Sequence, residues 1–132
     1  MSKLKRFRLT FIGAAQTVTG SMHLMEVDDN SVLVDCGLFQ GRRQDSDHKN
    51  RHLSNLAVDA DAVLLTHAHI DHSGNLPRLV NLGFQGSIHC TAATKELCEH
   101  MLRDSARIHE GDAAWHNRKN ANTPDWEPLE PL

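Results

Sequence analysis

Residues 62–74 read Ala-Val-Leu-Leu-Thr-His-Ala-His-Ile-Asp-His-Ser-Gly, and this stretch decides the fold. The apolar run Ala62 to Thr66 lies between turn residues and polar residues, which predicts a strand that is buried on both faces. After the histidines, apolar residues recur at helical spacing along the chain up to Gly83, a residue typical of a helix C-terminus. Pro77 fits this helix only in its first turn, so we expect the helix to start near Ser73 to Asn75.

The segments before this stretch predict further strands. Leu9 to Ile12 and Met22 to Val27 are short β-rich runs, and Ser31 to Asp35 is a third. The turn residues Asp28-Asp29-Asn30 separate the last two runs and predict a β-hairpin. Gly37 to Ser54 is polar and is predicted to be a long loop, which in a compact domain is more often functional or mobile than inert.

The segments after it predict one more strand and a longer helix. Gly86 to Cys90 is expected to be the strand, and Thr91 is expected to cap the helix. The apolar face of this helix carries Leu97, Cys98, Met101, Leu102 and Ile108. The alternation of strand and helix indicates an α/β arrangement. Three of the four prolines lie in the last nine residues, so 117–132 is predicted to be a Pro-rich linker or loop.

The composition describes one domain at most, with 132 residues, 39% hydrophobic and 23% charged. Fourteen basic and seventeen acidic side chains give a net charge of −3, which argues against a nucleic-acid binder that works by bulk positive charge. Scattered basic residues are therefore interpreted as solvated surface; they are Lys3, Lys5, Arg6, Arg8, Arg42 and Arg43. The unusual count is ten histidines, because histidine is the commonest metal ligand.

Three cysteines, Cys36, Cys90 and Cys98, form no C-x-x-C pair and leave an odd thiol in any disulfide scheme. They are predicted to be small buried hydrophobes in a reducing compartment. No run approaches the roughly 20 apolar residues of a membrane span. The chain is therefore predicted to be cytoplasmic, without a membrane partner.

His67, His69, Asp71 and His72 lie within six consecutive positions directly after a buried strand. Side chains two apart on an extended segment point the same way, so His67 and His69 can bind one cation together. The turn into the helix then directs Asp71 and His72 at a second position. Imidazole and carboxylate suit Zn²⁺, and also Mn²⁺ or Fe, and two metals roughly 3.5–4 Å apart can act on one phosphoryl group.

Four segments of the chain carry distinctive motifs. They are residues 13–21 (Gly-Ala-Ala-Gln-Thr-Val-Thr-Gly-Ser), 34–41 (Val-Asp-Cys-Gly-Leu-Phe-Gln-Gly), 66–77, which contain the histidine cluster, and 104–106 (Asp-Ser-Ala). Together they resemble the β-CASP branch of the metallo-β-lactamase superfamily. The H-x-H-x-D-H pattern alone is shared by lactamases, glyoxalase-type thioester hydrolases and nucleases, and the other segments favour the β-CASP branch. Members of that branch are nucleases that process RNA or DNA.

The resemblance implies a fold and an extent. The expected fold class is α/β, the N-terminal half of the metallo-β-lactamase αββα sandwich, a mixed sheet with helices on its outer face. Residues 1–116 would form this half and 117–132 the linker. Half of a sandwich would leave apolar surface for the other half to cover.

The resemblance also implies the roles of the site residues. His67 and His69 would bind one zinc ion and Asp71 and His72 the other, and Asp71 would also orient the attacking water. Asp35 matches the family's first motif, a carboxylate that supports the ligand loop, and such carboxylates fix the tautomer and orientation of a ligating imidazole. Asp71 and Asp35 are therefore the expected catalytic residues. Gly13, Gly20 and Gly37 are expected at turns where the backbone passes close to the site.

The chain departs from the complete family pattern. Complete members have three further metal-site residues, two histidines and an aspartate, and a large insert that closes over RNA, all downstream of the matched segments. Two protein ligands per metal would leave each zinc weakly held. The other seven histidines lie outside any family motif and are predicted to be surface residues: His23, His48, His52, His89, His100, His109 and His116.

Three hypotheses about function follow. The first is a fragment of a zinc-dependent phosphodiesterase that hydrolyses single-stranded RNA, a metal-dependent hydrolase as the full-length parent, with the fragment itself inactive or nearly so. The second is a small-molecule thioester or lactam hydrolase of the same superfamily. The third is a non-catalytic metal-binding module that forms a homo-oligomer through its exposed sheet or apolar face.

Overall fold

A computed structural model describes residues 6–132, apart from the side chains of residues 43 and 44, so Lys3 and Lys5 lie outside the described residues. Its five strands are β1 (Phe7–Gly13), β2 (Met22–Val27), β3 (Asn30–Val34), β4 (Ala62–Leu64) and β5 (Ser87–His89). They form one sheet in the order β1-β2-β3-β4-β5. The pairs β1–β2 and β2–β3 are antiparallel, and β3–β4 and β4–β5 are parallel. The mixed sheet and the β2–β3 hairpin confirm the predicted α/β class.

Within residues 6–132, five helices accompany the sheet: α1 (Arg43–Arg51), α2 (Asn55–Val58), α3 (Ile70–Ser73), α4 (Leu76–Asn81) and α5 (Ala92–Asn120). Pro77 lies in the first turn of α4, as predicted, and Gly83 follows its end with a φ of 111°. The Thr91 side chain accepts a hydrogen bond from the Thr94 backbone amide and caps α5, also as predicted.

The core lies on one face of the sheet. Leu24, Leu33 and Val63 are neighbours across β2, β3 and β4, and all three are buried. Side chains alternate between the faces of a strand, so this row fixes which residues point inward. Helix residues complete the same cluster, among them Leu79 of α4 and Cys98 of α5.

The opposite face of the sheet is apolar and open. Phe7 and Phe11 of β1 are 65% and 62% exposed, and Leu64 of β4 is 47% exposed. The prediction that 62–66 is buried on both faces is therefore wrong. Val63 points into the core, and Leu64 points to this open face, because the helix layer covers only one side of β4.

The prediction of a loop over residues 37–54 is also wrong, because α1 lies within it. This helix has no apolar residue, so hydrophobic periodicity gives no signal for it. Polar contacts hold it instead. Arg51 pairs with Asp47 one turn earlier at 2.9 Å, and the side chain of Asn50 is buried in a hydrogen-bond network.

Helix α5 runs four residues beyond the predicted boundary at 116, to Asn120. The tail then folds back: Asn117 exchanges two hydrogen bonds with the Leu129 backbone, at 2.8 and 2.9 Å, and the Arg51 guanidinium donates to the Glu130 carbonyl. These contacts explain why a proline-rich segment takes up a defined path here.

Two further expectations differ from the structure. Leu97 and Ile108 of α5 are 50% and 55% exposed, because the buried side of this helix carries Cys98 and Ala113 instead. Cys36 and Cys98 are buried as predicted, but Cys90 is exposed at the end of β5. Within residues 6–132, the helices are too short or too polar to cross a membrane.

Candidate metal centre

The candidate site lies where the parallel strands β3 and β4 end side by side. The register that pairs Val34 with Leu64 continues one residue further, with the Asp35 amide donating to the Leu64 carbonyl at 3.1 Å. Carboxyl ends of neighbouring parallel strands are a common place for ligands in α/β folds. Asp35 lies one residue beyond the end of β3 and Thr66 two residues beyond the end of β4, so the two are next to each other.

The segment after Asp35 runs along the histidine loop. The Cys36 amide donates to the His72 carbonyl at 2.8 Å, and the Leu38 amide donates to the Ile70 carbonyl at 2.9 Å. A Cβ atom at Gly37 would overlap the carbonyl oxygen of Asp71. Glycine is thus required for this close approach, which agrees with its prediction as a residue that lets the backbone pass close to the site.

Asp35 is the buried acceptor at the centre of the site. Its Oδ1 accepts hydrogen bonds from the Thr66 amide at 2.8 Å and the Thr66 hydroxyl at 2.9 Å, and its Oδ2 accepts one from His72 Nδ1 at 2.7 Å. Ser21 Oγ lies 3.3 Å from the same Oδ2. The residue is 3% exposed and has a φ of 60°, a conformation that aspartate adopts more readily than most residues. A buried carboxylate with this many donors is well stabilised.

Three imidazole rings meet beside Asp35. The ring centroids of His67 and His72 are 4.0 Å apart, and those of His67 and His69 are 4.7 Å apart. His69 is the N-cap residue of α3, so the chain turns between it and His72 and brings the latter back toward His67. The structure thus brings together the three histidines that the motif predicts as ligands, with His67 close to both of the others.

Asp71 completes the cluster. Its Oδ2 lies 3.7 Å from His72 Nε2, the nitrogen that is not bonded to Asp35. Its carbonyl accepts a hydrogen bond from the Ser21 amide at 2.8 Å, which ties the β1–β2 loop to the site. The side chain is 28% exposed, so the carboxylate faces the opening of the cluster rather than the core.

These residues fit a divalent cation as a partial ligand set. His72 Nδ1 donates to the carboxylate of Asp35, and His72 Nε2 lies beside the carboxylate of Asp71. The lone pairs of Nε2 and of the Asp71 carboxylate suit a shared cation in this arrangement. In the described part of the chain, no three His, Cys, Asp or Glu side chains are grouped so that they could hold one metal ion. The cluster therefore offers donors of the right kind but no complete site around one point.

Cys36 lies next to Asp35 but is not a ligand of the usual thiolate kind. Burial, and then the charge of Asp35, raise the pKa of this thiol to about 12. Metal binding needs the thiolate, so the thiol acts as a packing group under the site.

Four residues that support the site were not assigned a role from the sequence: Ser21, Asn50, Thr66 and Asn75. Asn50 Oδ1 accepts hydrogen bonds from the Phe39 amide at 2.8 Å and from Asn75 Nδ2 at 2.9 Å. Asn75 Nδ2 also donates to the Gly37 carbonyl at 2.8 Å. Asn50 and Asn75 thus lock α1 and α4 to the loop that carries Asp35. Ser21, Thr66 and Asn75 lie in the segments that resemble the family, and Thr66 also follows a predicted strand, whereas no pattern in the sequence marks Asn50.

The other histidines lie outside the cluster. His48, His52, His89 and His100 are exposed, as predicted. The remaining three are half-buried rather than fully exposed: His23, His109 and His116. His23 stacks edge to face on Phe11, with ring centroids 5.2 Å apart.

Comparison with known proteins identifies the class. The family model described as the metallo-beta-lactamase superfamily matches residues 16–131. Ribonuclease TTHA0252 of Thermus thermophilus is 44% identical over 101 residues, which are 76% of this chain and 23% of that protein. Transcription termination factor FttA of Methanothermobacter thermautotrophicus is 37% identical over 103 residues, 76% of this chain and 16% of that protein. Integrator complex subunit 11 of Danio rerio is 30% identical over 106 residues, which are 76% of this chain and 18% of that protein.

The chain belongs to the metallo-β-lactamase superfamily, and these relatives confirm the resemblance to its β-CASP branch. The family and the mixed sheet together confirm the predicted half-sandwich fold class. The chain spans less than a quarter of the length of each of these three relatives.

Proposed function

We propose that the protein to which this chain belongs is a zinc-dependent phosphodiesterase that hydrolyses RNA. The observation that carries the proposal is the contact of the buried Asp35 with His72, 2.7 Å from Oδ2 to Nδ1, beside the three-histidine cluster. A carboxylate that orients an imidazole in this way is the usual support of a metal-ligating histidine. The residues proposed as ligands are His67 and His69 for one ion and Asp71 and His72 for the other.

The chain's own residues would each have a defined task. Asp35 holds the proton of His72 on Nδ1, which leaves the lone pair of Nε2 free to bind a cation. Asp71 is partly exposed at the opening of the cluster, and its proposed task is to accept a hydrogen bond from an attacking water and to orient it. When bound, a pair of zinc ions supplies Lewis acidity toward a phosphoryl group and activates water near neutral pH.

Two observations support RNA as the proposed substrate: the name of one relative, and the position of segment 13–21 in the structure. The relative with 44% identity is named a ribonuclease. The segment 13–21, which argues against a thioester or lactam hydrolase, lies at the site: Ser21 contacts both Asp35 and Asp71. Single-stranded RNA is the finer expectation, and we propose it as the form that enters the cluster.

The test is RNA cleavage by the gene product that contains these 132 residues. With Zn²⁺ or Mn²⁺ it should cleave single-stranded RNA, and His69→Ala should lower the rate by more than about 100-fold, since even residues that only support metal ligands change activity by about 10–100-fold. His100→Ala, an exposed histidine on α5, is the matched control and should leave the rate unchanged. Cleavage that persists in His69→Ala would rule out the proposal.

The 132-residue chain alone is proposed to be inactive or nearly so. Its described residues offer no group of three ligands for one metal, and two ligands hold zinc weakly. In the same assay, the chain should cleave RNA no faster than buffer with metal. Robust cleavage by the chain alone, lost in His69→Ala, would overturn this statement.

Two further proposals concern organisation and setting. Residues 1–116 are proposed as the first half of the lactamase domain and 117–132 as the connection that follows it, although α5 itself ends at Asn120. A reducing, cytoplasmic setting is proposed because all three cysteines are free thiols and two of them are buried. Cell fractionation with a tagged gene product tests the second proposal.

We also propose that the isolated chain self-associates through the open sheet face. Phe7 and Phe11 are 65% and 62% exposed there, and large exposed apolar patches mark association surfaces. Light scattering should give a dimer or larger species that Phe11→Glu dissociates and that a chelator leaves intact. Val18→Glu, on a side chain 90% exposed in the β1–β2 loop, should have no effect. An oligomer that survives Phe11→Glu, or that falls apart when zinc is removed, contradicts this proposal.

A further inference from the structure

The hydroxyl of Thr66 lies between the carboxylate of Asp35 and the ring of His67. Thr66 Oγ1 is 2.9 Å from Asp35 Oδ1, 3.0 Å from Asp35 Oδ2 and 2.9 Å from His67 Nδ1. The Thr66 amide also donates to Asp35 Oδ1 at 2.8 Å, which fixes the backbone of this residue against the carboxylate. Asp35 therefore reaches His67 through one intervening side chain.

The direction of these hydrogen bonds follows from the number of protons. A threonine hydroxyl has one proton, and a carboxylate only accepts. The hydroxyl proton must therefore point at Asp35, since otherwise two acceptor oxygens would face each other at 2.9–3.0 Å. Thr66 Oγ1 is then the acceptor toward His67, and the proton between them belongs to His67 Nδ1.

We propose that Thr66 is a positioning residue for the metal centre: its hydroxyl holds His67 in the tautomer with the proton on Nδ1 and leaves Nε2 free to bind a cation. Asp35 sets the same tautomer in His72 by direct contact. One buried carboxylate thus prepares two imidazoles whose ring centroids are 4.0 Å apart, one directly and one through Thr66. The inference concerns the protein before metal binds, although its functional meaning rests on the proposed function.

A purely local role for Thr66 would predict something different. If its hydroxyl served only to satisfy Asp35, the tautomer of His67 would be independent of it, because His67 is partly exposed and water could bond to either ring nitrogen. The tautomer of His67 is therefore the readout that separates positioning from simple hydrogen-bond satisfaction. It can be measured without metal, RNA or turnover.

The experiment is long-range ¹H–¹⁵N NMR of the histidine rings in the metal-free 132-residue chain, with His67 assigned by the loss of one ring in His67→Gln. In the unmodified chain His67 should be protonated on Nδ1. Thr66→Val should release it to the Nε2-protonated form, Thr66→Ser should retain the Nδ1 proton, and His72 should be unchanged in both. Thr66 is exposed as a residue, so the valine variant leaves the core intact. Thr10→Val, the same change on β1, is the control.

Zinc affinity gives the second readout, by titration against a competing chelator. Loss of a residue that supports a metal ligand lowers affinity by about 10–100-fold, so Thr66→Val should bind zinc at least about tenfold more weakly than Thr66→Ser. An Nε2-protonated His67 in the unmodified chain overturns the inference, even if Thr66→Val fails to fold. So does an Nδ1 proton that persists in folded Thr66→Val. Neither outcome bears on RNA cleavage, so the proposed function is tested separately.

Discussion

Asp35 and His72, 37 positions apart in the chain, are joined by a hydrogen bond of 2.7 Å between Oδ2 and Nδ1. Asp35 is also held in a left-handed conformation, with a φ of 60°, which asparagine tolerates and most residues do not. Asp35→Asn therefore changes the chemistry of the group without straining the backbone. An amide nitrogen placed opposite His72 Nδ1 would bring two donors together.

We expect Asp35→Asn to weaken zinc binding by the isolated chain by about 10–100-fold. It should also lower the free energy of unfolding by about 1–3 kcal/mol, since buried donors lose their acceptor. Zinc titration and urea unfolding measure the two effects. Asp29→Asn, in the exposed β2–β3 turn, is the control. Unchanged zinc affinity in Asp35→Asn would show that the carboxylate does not support the ligands.

A second prediction concerns Asn50, which is buried although it belongs to a helix without apolar residues. Asn50→Ala leaves the Phe39 amide, the Phe39 carbonyl and Asn75 Nδ2 without this partner. Each buried polar group left unpaired costs about 1–3 kcal/mol, so the variant should lose at least ~2 kcal/mol in urea unfolding. Asn81→Ala, on an exposed residue at the end of α4, should lose far less. Equal losses in the two variants would contradict a special role for Asn50.

The contrast between α1 and α5 shows which parts of the fold the sequence could predict. Strands, α4 and α5 were predictable because apolar periodicity, Pro77 and the Thr91 cap each mark a local structure. Helix α1 was not, because its support comes from Asn50, whose partners lie in another loop. Local patterns do not encode such distant polar contacts.

The residues of the site also differ in whether the sequence predicts their positions. The spacing of His67, His69, Asp71 and His72 predicts that they gather at the end of a strand, and in the structure they do. The role of Thr66 depends on the parallel pairing of β3 with β4, which places it beside Asp35. That pairing is a long-range relation, so no single segment of the sequence contains it.

A third prediction concerns the pH dependence of stability through Asp61. Its Oδ2 accepts hydrogen bonds from the Ser31 amide at 2.6 Å and from the Ser31 hydroxyl at 2.9 Å, and these bonds lower the pKa of the carboxyl below its usual value. A group whose pKa is lower in the folded state adds stability above its unfolded pKa and loses that stability as pH falls through the folded pKa. The window therefore lies below the ordinary pKa of aspartate, about 3.9.

Asp61→Asn cannot titrate and should lack this part of the pH dependence. The difference in free energy of unfolding between the unmodified chain and Asp61→Asn should be constant from neutral pH down to about 5 and should shrink below about 3.9. Urea unfolding across this range measures it, with Asp59→Asn as the control for an exposed aspartate nearby. A difference that stays constant into the acid range would contradict the assignment.

The fourth prediction concerns the three thiols, which differ in access and in ionisation. Cys90 is exposed, whereas Cys36 and Cys98 are buried, and burial raises the pKa of both buried thiols, that of Cys36 to about 12. The thiolate is the reactive form, so a disulfide reagent at about pH 8 should modify one thiol quickly in the folded chain and the other two only after denaturation. Cys90→Ser should abolish the fast phase and leave the slow one. A fast phase that survives in Cys90→Ser would contradict the prediction, because it would mean that Cys36 or Cys98 becomes accessible through local opening of the folded chain.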